Sequence, residues 1–480
     1  MPGFELGEGW RWGALLLGAL HLLGIASAVH AVLVTRTPQG AIAWGLALLS
    51  LPYLALPLYW VLGRDRYRGY VVTRRSDARE FAHVERELSE RVREFDVEVP
   101  ADRPGLVVAE RLAHMPFTRG NRLTLLVNGQ ATFDALRAGV EAAREYLLVQ
   151  FFIWKDDDLG RAFRDLLAER ARAGLAVYLL YDEIGSHALP RDFFDDLVHA
   201  GGRVRPFGTT RGWRNRFQIN FRNHRKVVVA DGRRAWVGGH NVGDEYLGHG
   251  PLGPWRDTHV ELEGPAALGV QLSFQEDWYW AAHELPPWRW TPVAAEEGDA
   301  RVLVLPTGPA DPLETCSLAF DEAISAARER IWLTSPYFVP DAGVQAALQL
   351  AALRGVDVRV LLPERADHWL AWLAAYAFLE PVLACGVKVY RYQGGFLHQK
   401  VMLVDDRLAA VGTANLDNRS FRLNFELAVV VDDREFAREV EAMLEADLER
   451  CRQVELSEIT GRGWLPRLGT RLARLFAPIL

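Results

Sequence analysis

A chain of 480 residues, half of them hydrophobic, is long enough for two or three domains and a large core. Its formal net charge of -7 argues against a general nucleic-acid binder, which usually presents a strongly basic face. Cys316, Cys385 and Cys451 are odd in number and far apart, which suggests neither a disulfide framework nor a metal knuckle and fits a reducing compartment.

In chain order, residues 13–34 and 41–63 come first, 22 and 23 residues without Lys, Arg, Asp or Glu. At ~1.5 Å rise per residue each is long enough to cross a ~30 Å hydrocarbon layer. The TRTPQG between them suits a tight turn, so residues 1–67 are expected to form a transmembrane hairpin that tolerates Pro52 and Pro57. A cleaved signal peptide is the rival reading, with ASAVHA as a loose processing site, but the second apolar segment would still hold the chain in the membrane. Arg64, Arg66, Arg68, Arg74 and Arg75 follow the second segment, whereas the turn carries only Arg36. The positive-inside rule therefore puts both chain ends, and the large domain, on the cytoplasmic face of a multi-pass membrane protein. Residues 76–96, within a linker of 68–110, read as a solvated helix.

Beyond the linker the chain repeats itself. YLLVQFFIW, GRAFRDLLAERARAG and LAVYLLYDE read as strand, helix and strand, and RIWLTSPYFV, AGVQAALQLAALRG and VDVRVLLPE read the same way. A short strand follows each, GRVRPFG and GVKVYRY. The fold class expected is α/β, two homologous halves of mostly parallel sheet flanked by helices, at 111–290 and 291–456. The join falls in the proline-rich, charged stretch 284–300. The last segment, 457–480, interleaves Arg467, Arg471 and Arg474 with Leu468, Leu472, Leu475 and Phe476; it suits either a membrane surface or docking on its own domain.

Each half ends in a segment that carries chemistry. HRKVVVADGRRAWVGGHN and HQKVMLVDDRLAAVGTAN share His224, Lys226, Asp231 and Asn241 in the first with His398, Lys400, Asp405 and Asn415 in the second, at identical offsets. Strand alternation puts each histidine and lysine on one face, and the turns at Gly238-Gly239 and Gly412-Thr413 let backbone approach a ligand. If the halves pack around a pseudo-twofold, one site receives both sets. Substitution at a phosphodiester needs a nucleophile on one side of phosphorus and an acid on the other, and histidine, with a pKa of ~6.5, serves either role. The lysines and asparagines would neutralise the nonbridging oxygens, so the constellation requires no metal and no cofactor.

The pattern resembles the phospholipase D superfamily, with its paired HxKxxxxD motifs, and more narrowly the bacterial cardiolipin synthases. QFFIWKDDDLG, NHRKVVVADGRRAWVGGHNVGDEYLG, WRDTHVELEGPA, TSPYFVPD and HQKVMLVDDRLAAVGTANLDNRSFRLNFE carry that resemblance. It implies a phosphohistidine mechanism with His224 as nucleophile and His398 as acid and base, although the near symmetry of the halves leaves the assignment open. It further implies that each histidine is oriented by a carboxylate downstream of it, at Asp257 after His224 and Glu426 after His398, and that Asp231 and Asp405, though part of the motif, serve structure. The implied partners are phosphatidylglycerol, other anionic phospholipids and the bacterial inner membrane, with no nucleic acid; the oligomeric state is left open. The rival reactions are hydrolysis by water and transfer with another phospholipid donor or acceptor, and the rival classes are a nuclease and a non-catalytic lipid-binding scaffold. The arginine- and aromatic-rich stretch 211–226 reads either as a headgroup-binding entrance or as a solvated loop. Gln150 and Tyr337 read as pocket or core residues, and His240, His249 and His259 as satisfied or exposed ones.

Overall fold

The computed structural model describes residues 6–35, 37–63, 88, 90–100, 102–208 and 220–480. The expected linker helix (but for residues 88 and 90–96), residues 211–219 of the arginine-rich stretch and the arginines that follow the second apolar segment lie outside the described residues. The N-terminal helices form one compact body, and the residues from 90 to 208 and from 222 to 480 form another.

In the first body α1 (Leu6–Val34) is apolar, and its Trp10–Val34 stretch is the one helix among the described residues long and apolar enough to cross a membrane. The expected second span is instead two helices, α2 (Pro38–Ser50) and α3 (Pro52–Leu62), of 13 and 11 residues. Pro52 lacks the N–H that a continuing helix needs, and its ring disfavours helical backbone at the residue before it. Leu51 accordingly takes φ -136° and ψ 58°. The hairpin of two spans is thereby corrected to one helix of spanning length with two shorter apolar helices beside it, packed through Ala28, Ala31, Leu48, Leu56 and Tyr59.

The second body is built on one sheet of 16 strands. The first half contributes β1 (Thr118–Val127), β2 (Tyr146–Phe151), β3 (Ala176–Asp182), β4 (Arg203–Phe207), β5 (Arg222–Asn223), β6 (Val227–Ala230), β7 (Arg234–Gly238) and β9 (Thr258–Glu263). The second contributes β10 (Ala300–Thr307), β11 (Arg330–Thr334), β13 (Asp357–Pro363), β14 (Lys388–Tyr392), β16 (Val401–Val404), β17 (Leu408–Gly412), β19 (Asn424–Asp432) and β20 (Cys451–Gln453). Short β8 (Trp255–Arg256), β12 (Phe338–Val339), β15 (Phe396–Leu397) and β18 (Leu416–Asp417) pair apart from it.

Outward from the central antiparallel pair of β1 and β10, one side runs β1-β9-β7-β6-β2-β3-β4 and the other β10-β19-β17-β16-β11-β13-β14. The two paths are the same, so a pseudo-twofold axis passes between β1 and β10. Along this path only β2-β3-β4 and β11-β13-β14 are parallel, which corrects the mostly parallel sheet expected from the sequence to a mixed one. The reason is local: β6 and β7, like β16 and β17, are joined by tight turns that only an antiparallel pair can use. Asp231 and Gly232 enter the first turn at φ 55° and 65°, and Asp405 the second at φ 52°, the left-handed backbone that aspartate and glycine tolerate best.

Helices cover both faces. α7 (Ala267–Ala282) and α12 (Arg434–Leu448) share one core with strands of both halves, through Phe274, Trp278, Val440 and Leu444. On the other face α5 (Asn128–Ala142) and α6 (Asp158–Arg172) cover the first half. There α8 (Thr315–Ala326), α9 (Ala342–Leu353) and α10 (Trp369–Leu383) cover the second half, joined by α4 (Pro104–Ala113) over β10. Residues 464–474 form α13, which docks on α10: Arg462 stacks on Tyr376 at 3.9 Å and Arg471 reaches Glu380 at 3.6 Å. Its other side leaves Trp464 and Leu468 exposed at 72% and 49%.

Candidate active site

Two short parallel ladders bring the halves together. β5 pairs with the start of β19 in the register Arg222 to Asn424 and Asn223 to Phe425, so the next residues, His224 and Glu426, come side by side. β8 pairs with β15 in the register Trp255 to Phe396 and Arg256 to Leu397, which does the same for Asp257 and His398. The backbone N–H of His224 donates to Phe425 at 2.9 Å and that of His398 to Arg256 at 2.8 Å. Each histidine is therefore held against the carboxylate of the other half, which corrects the expected pairing with the carboxylate that follows it in its own half. His224 Nδ1 lies 2.9 Å from Glu426 Oε2, and His398 Nδ1 lies 2.6 Å from Asp257 Oδ2. With Nδ1–H donated to a carboxylate, Nε2 of each ring is the atom left to react.

Lys226 and Lys400 stand on the same strand faces as their histidines and are buried. Lys226 Nζ donates to the His224 carbonyl at 2.6 Å, and Lys400 Nζ makes the matching bond to the His398 carbonyl while lying 2.9 Å from His398 Nδ1. Lys400 also stands 4.0 Å from Asp257. Burial lowers the His224 pKa to about 4, against the pull of Glu426 and with the push of Lys226. Burial, Lys400 and Lys226 hold His398 well below the ordinary range too, so both rings are neutral near pH 7. Burial also lowers Lys226 strongly and Lys400 to about 8, with Asp257 and Glu426 opposing. Burial alone would raise the Glu426 carboxyl, but His224, Lys226 and the Thr413 hydroxyl together keep it below its usual range.

The asparagines join the site differently. Asn241 accepts the backbone N–H of Ile153 at 3.0 Å and donates to the Tyr246 hydroxyl at 3.0 Å, which stands 3.5 Å from His398 Nδ1. Asn415 is buried and donates to Asp417 at 3.2 Å. Asp231 and Asp405 stand away from the histidines. Each sits at the far end of its strand, about 16 Å along the chain from the lysine at ~3.3 Å per residue. There Asp231 accepts the backbone N–H groups of Arg144, Glu145 and Tyr146 at 2.7–2.9 Å. Asp405 does the same for Arg328, Glu329 and Arg330 at 2.8–3.2 Å. The two aspartates pin the starts of β2 and β11 to the hairpin turns. Among the described residues no group of His, Cys, Asp and Glu converges as a metal site would need.

A profile described as "Cardiolipin synthase, PLD-like domain" matches residues 320–448. Over 469 residues the chain is 50% identical to "Cardiolipin synthase A" of Pseudomonas putida (strain GB-1), covering 97% of this chain and 98% of that protein. This chain belongs to the cardiolipin synthase family. It is also 53% identical over 472 residues to "Cardiolipin synthase A" of Pseudomonas aeruginosa (strain LESB58), covering 97% of this chain and 96% of that protein. Among solved structures it shares the fold of phosphatidylserine synthase from Haemophilus influenzae Rd KW20, with a TM-score of 0.59 and 13% identity over 78% of this chain and 100% of that one.

Several residues of this family member escaped the sequence reading. Glu426 is held by the hydroxyls of Thr413 and Ser420 at 2.6 and 2.8 Å and by the Asn424 amide at 3.1 Å. Asp277 and Asp447, at corresponding places on α7 and α12, anchor the strand before each carboxylate or histidine. Asp277 accepts from Arg225, Gln150 and Asn223 at 2.8–2.9 Å, and Asp447 from Arg256 and Gln399 at 2.7–2.9 Å. The signal for the last pair was present in the sequence: Arg225 and Gln399 lie between the histidine and lysine of each motif, on the opposite strand face. Gln150 thus belongs to the buried network beneath the site, and Tyr337 donates to Asp367 at 2.5 Å. His240 and His259 are buried with their Nδ1 atoms 2.9 Å apart, and His249 is exposed.

Proposed function

We propose that the chain transfers a phosphatidyl group from one phosphatidylglycerol to the hydroxyl of a second, releasing glycerol and forming cardiolipin. The observation that carries this reading is the crossed pair: one histidine and one lysine from each half, each histidine bonded to the carboxylate of the other half. In the first step Nε2 of His224 attacks phosphorus and the P–O bond to glycerol breaks; His398, neutral in the substrate-free chain, takes a solvent proton on Nε2 as the anionic phosphodiester enters between the rings, and gives it to the leaving oxygen. In the second, His398 removes the proton from the incoming hydroxyl, whose oxygen displaces His224. One P–O bond is made for each one broken, so the overall change is nearly even in energy and mass action sets its direction. Lys226 and Lys400 face the nonbridging oxygens, where charge grows in the transition state. Glu426 supports the charge that develops on His224 when phosphorus binds its Nε2.

The finer setting follows from the chain's apolar start. We place α1 in the inner membrane and the second body on its cytoplasmic side, because the arginines at positions 64 to 75 follow the apolar segments. The exposed apolar side of α13, bearing Trp464 and Leu468 beside arginines, rests on the anionic lipid surface that supplies substrate. The test is to give the purified full chain phosphatidylglycerol in micelles and quantify products by mass spectrometry. Cardiolipin and glycerol in equal amounts, lost in His224→Ala and His398→Ala, are expected. Phosphatidic acid as the main product would make the enzyme a hydrolase and overturn the synthase reading.

A further inference from the structure

The two halves share a strand path but not a filling. On one face of β7 and β9 the first half presents Arg234, Trp236, His240, His259 and Glu261, and the second half has Leu408, Ala410, Ala414, Ala428 and Val430 at the corresponding places. The correspondence is fixed by register, since Trp236 pairs with Glu261 as Ala410 pairs with Val430, and Gly238 with His259 as Gly412 with Ala428. In the first half the space is full. Trp236 is wholly buried against α5, where a Cβ on Gly139 would fall 2.1 Å from the indole ring, and Arg234 pairs with Glu261 beside it.

In the second half the same face is lined by shorter apolar side chains, of which Leu408, Ala410, Ala414 and Ala428 stay half-buried and Val430 is buried. Opposite it, α8 presents Ala319 and Ala323, and α4 presents Leu106 and Ala109. Between helices and sheet lies a cavity of about 960 Å³, at the upper end of the range for small-molecule sites. One end is bounded by Lys400, Glu426 and Thr307, and the other by Arg103, Arg328 and Arg407. From Lys400 to Asp405 the bounding strand covers about 16 Å. One leaflet of a ~30 Å hydrocarbon core, the depth that one acyl chain spans, is about 15 Å.

We propose that this cavity, which has no counterpart among the described residues at the corresponding face of the first half, receives one long acyl chain of the donor phospholipid, running from the Lys400 end of the catalytic cluster toward the arginine rim. The inference rests on the phosphatidyl-transfer reading, and it adds a chain-length filter to that reaction. Among the described residues Trp236, Arg234 and Glu261 fill the corresponding face of the first half, so the site that is symmetric at phosphorus is asymmetric for its lipids. The half that takes the acceptor would then read its chains less strictly.

Filling the cavity tests this. Ala410→Trp copies the first half's own Trp236, and Ala319→Phe fills from the helix side. Cardiolipin formation by the full chain is measured with dioleoyl and with dihexanoyl phosphatidylglycerol. The expected result is a loss of at least about tenfold in kcat/KM for the long-chain substrate with the short-chain rate nearly unchanged. Equal rates on both substrates in soluble variants that keep the wild-type melting temperature would overturn the proposal.

A second measurement does not depend on any variant's folding. Phosphatidylglycerol with a photoreactive group near the chain end is crosslinked to the wild-type chain, and labelled peptides are expected from α4, α8 and β17. Labelling confined to other segments would count against the site. A photoreactive free fatty acid labelling the cavity, with phosphatidylglycerol failing to compete, would overturn the donor assignment in favour of a separate amphiphile. Failure of the transfer reading itself would show differently, as a wild-type chain that makes no cardiolipin from either substrate.

Discussion

At the scale of single residues, the site is a set of charges tuned by burial. His224 titrates at about 4 and Lys400 at about 8 in the substrate-free chain, so the form with neutral His224 and charged Lys400 spans the interval between. Because kcat/KM reports the free enzyme, it should fall below about pH 4, as His224 takes a proton, and above about pH 8, as Lys400 loses one. Arginine keeps its charge beyond pH 12, so Lys400→Arg should carry the alkaline limb upward even where its rate is lower. A pH profile of the variant with the limb still near 8 would remove Lys400 from that role. Glu426 gives a second test. Glu426→Gln keeps the shape but cannot support charge on His224, and kcat is expected to drop by roughly 10²–10⁴ with no change in melting temperature. Asp257→Asn should do the same through His398.

At the scale of elements, the two aspartates of the repeated motif act on strands rather than on substrate. Asp231 tethers the first residues of β2, and Asp405 those of β11, through three backbone N–H groups each. Asp231→Ala should cost about 2–4 kcal/mol of stability, since bonds to a charged acceptor are worth about 1.5–3 kcal/mol and the site is half-exposed. Activity per folded molecule should stay within a few-fold of wild type, as read by denaturant melts beside assays at low temperature. A full loss of turnover in a stably folded Asp231→Ala chain would bring this aspartate back into the chemistry. The C-terminal helix α13 makes a further prediction. Replacing Trp464, Leu468 and Leu472 by serine should lower cardiolipin formation in phosphatidylglycerol vesicles several-fold and leave micelle activity nearly intact, and equal activity in both would detach α13 from the lipid surface.

At the scale of the molecule, the site exists only because β1 and β10 pair across the two halves and set the β5–β19 and β8–β15 ladders on either side. Each half carries one histidine and the other half's carboxylate. Mixing a His224→Ala chain with a His398→Ala chain should therefore restore no activity, since every complete site is made within one chain. Recovery toward a quarter of the wild-type rate would show instead that halves exchange between chains.

The motif residues were legible in the sequence because period-two alternation and a repeated spacing are local properties, and His224, Lys226, His398 and Lys400 declare both. The strand, helix and strand order of each half was legible for the same reason. What the sequence misjudged was set by neighbours distant along the chain. The sheet came out mixed because each motif strand turns back on itself through a left-handed aspartate, and the second apolar segment broke where Pro52 removed a donor. The exchange of carboxylates, with Glu426 serving His224 and Asp257 serving His398, depends on the register of strands about 200 and 140 residues apart, which no local pattern encodes. The sequence alone determined which groups perform the chemistry and that there are two sets of them. Only the tertiary structure decided which partner each histidine has, which backbone groups Asp231 and Asp405 hold, and that one half keeps a lipid-sized space where the other is filled by Trp236, because packing between halves is a property of the pair.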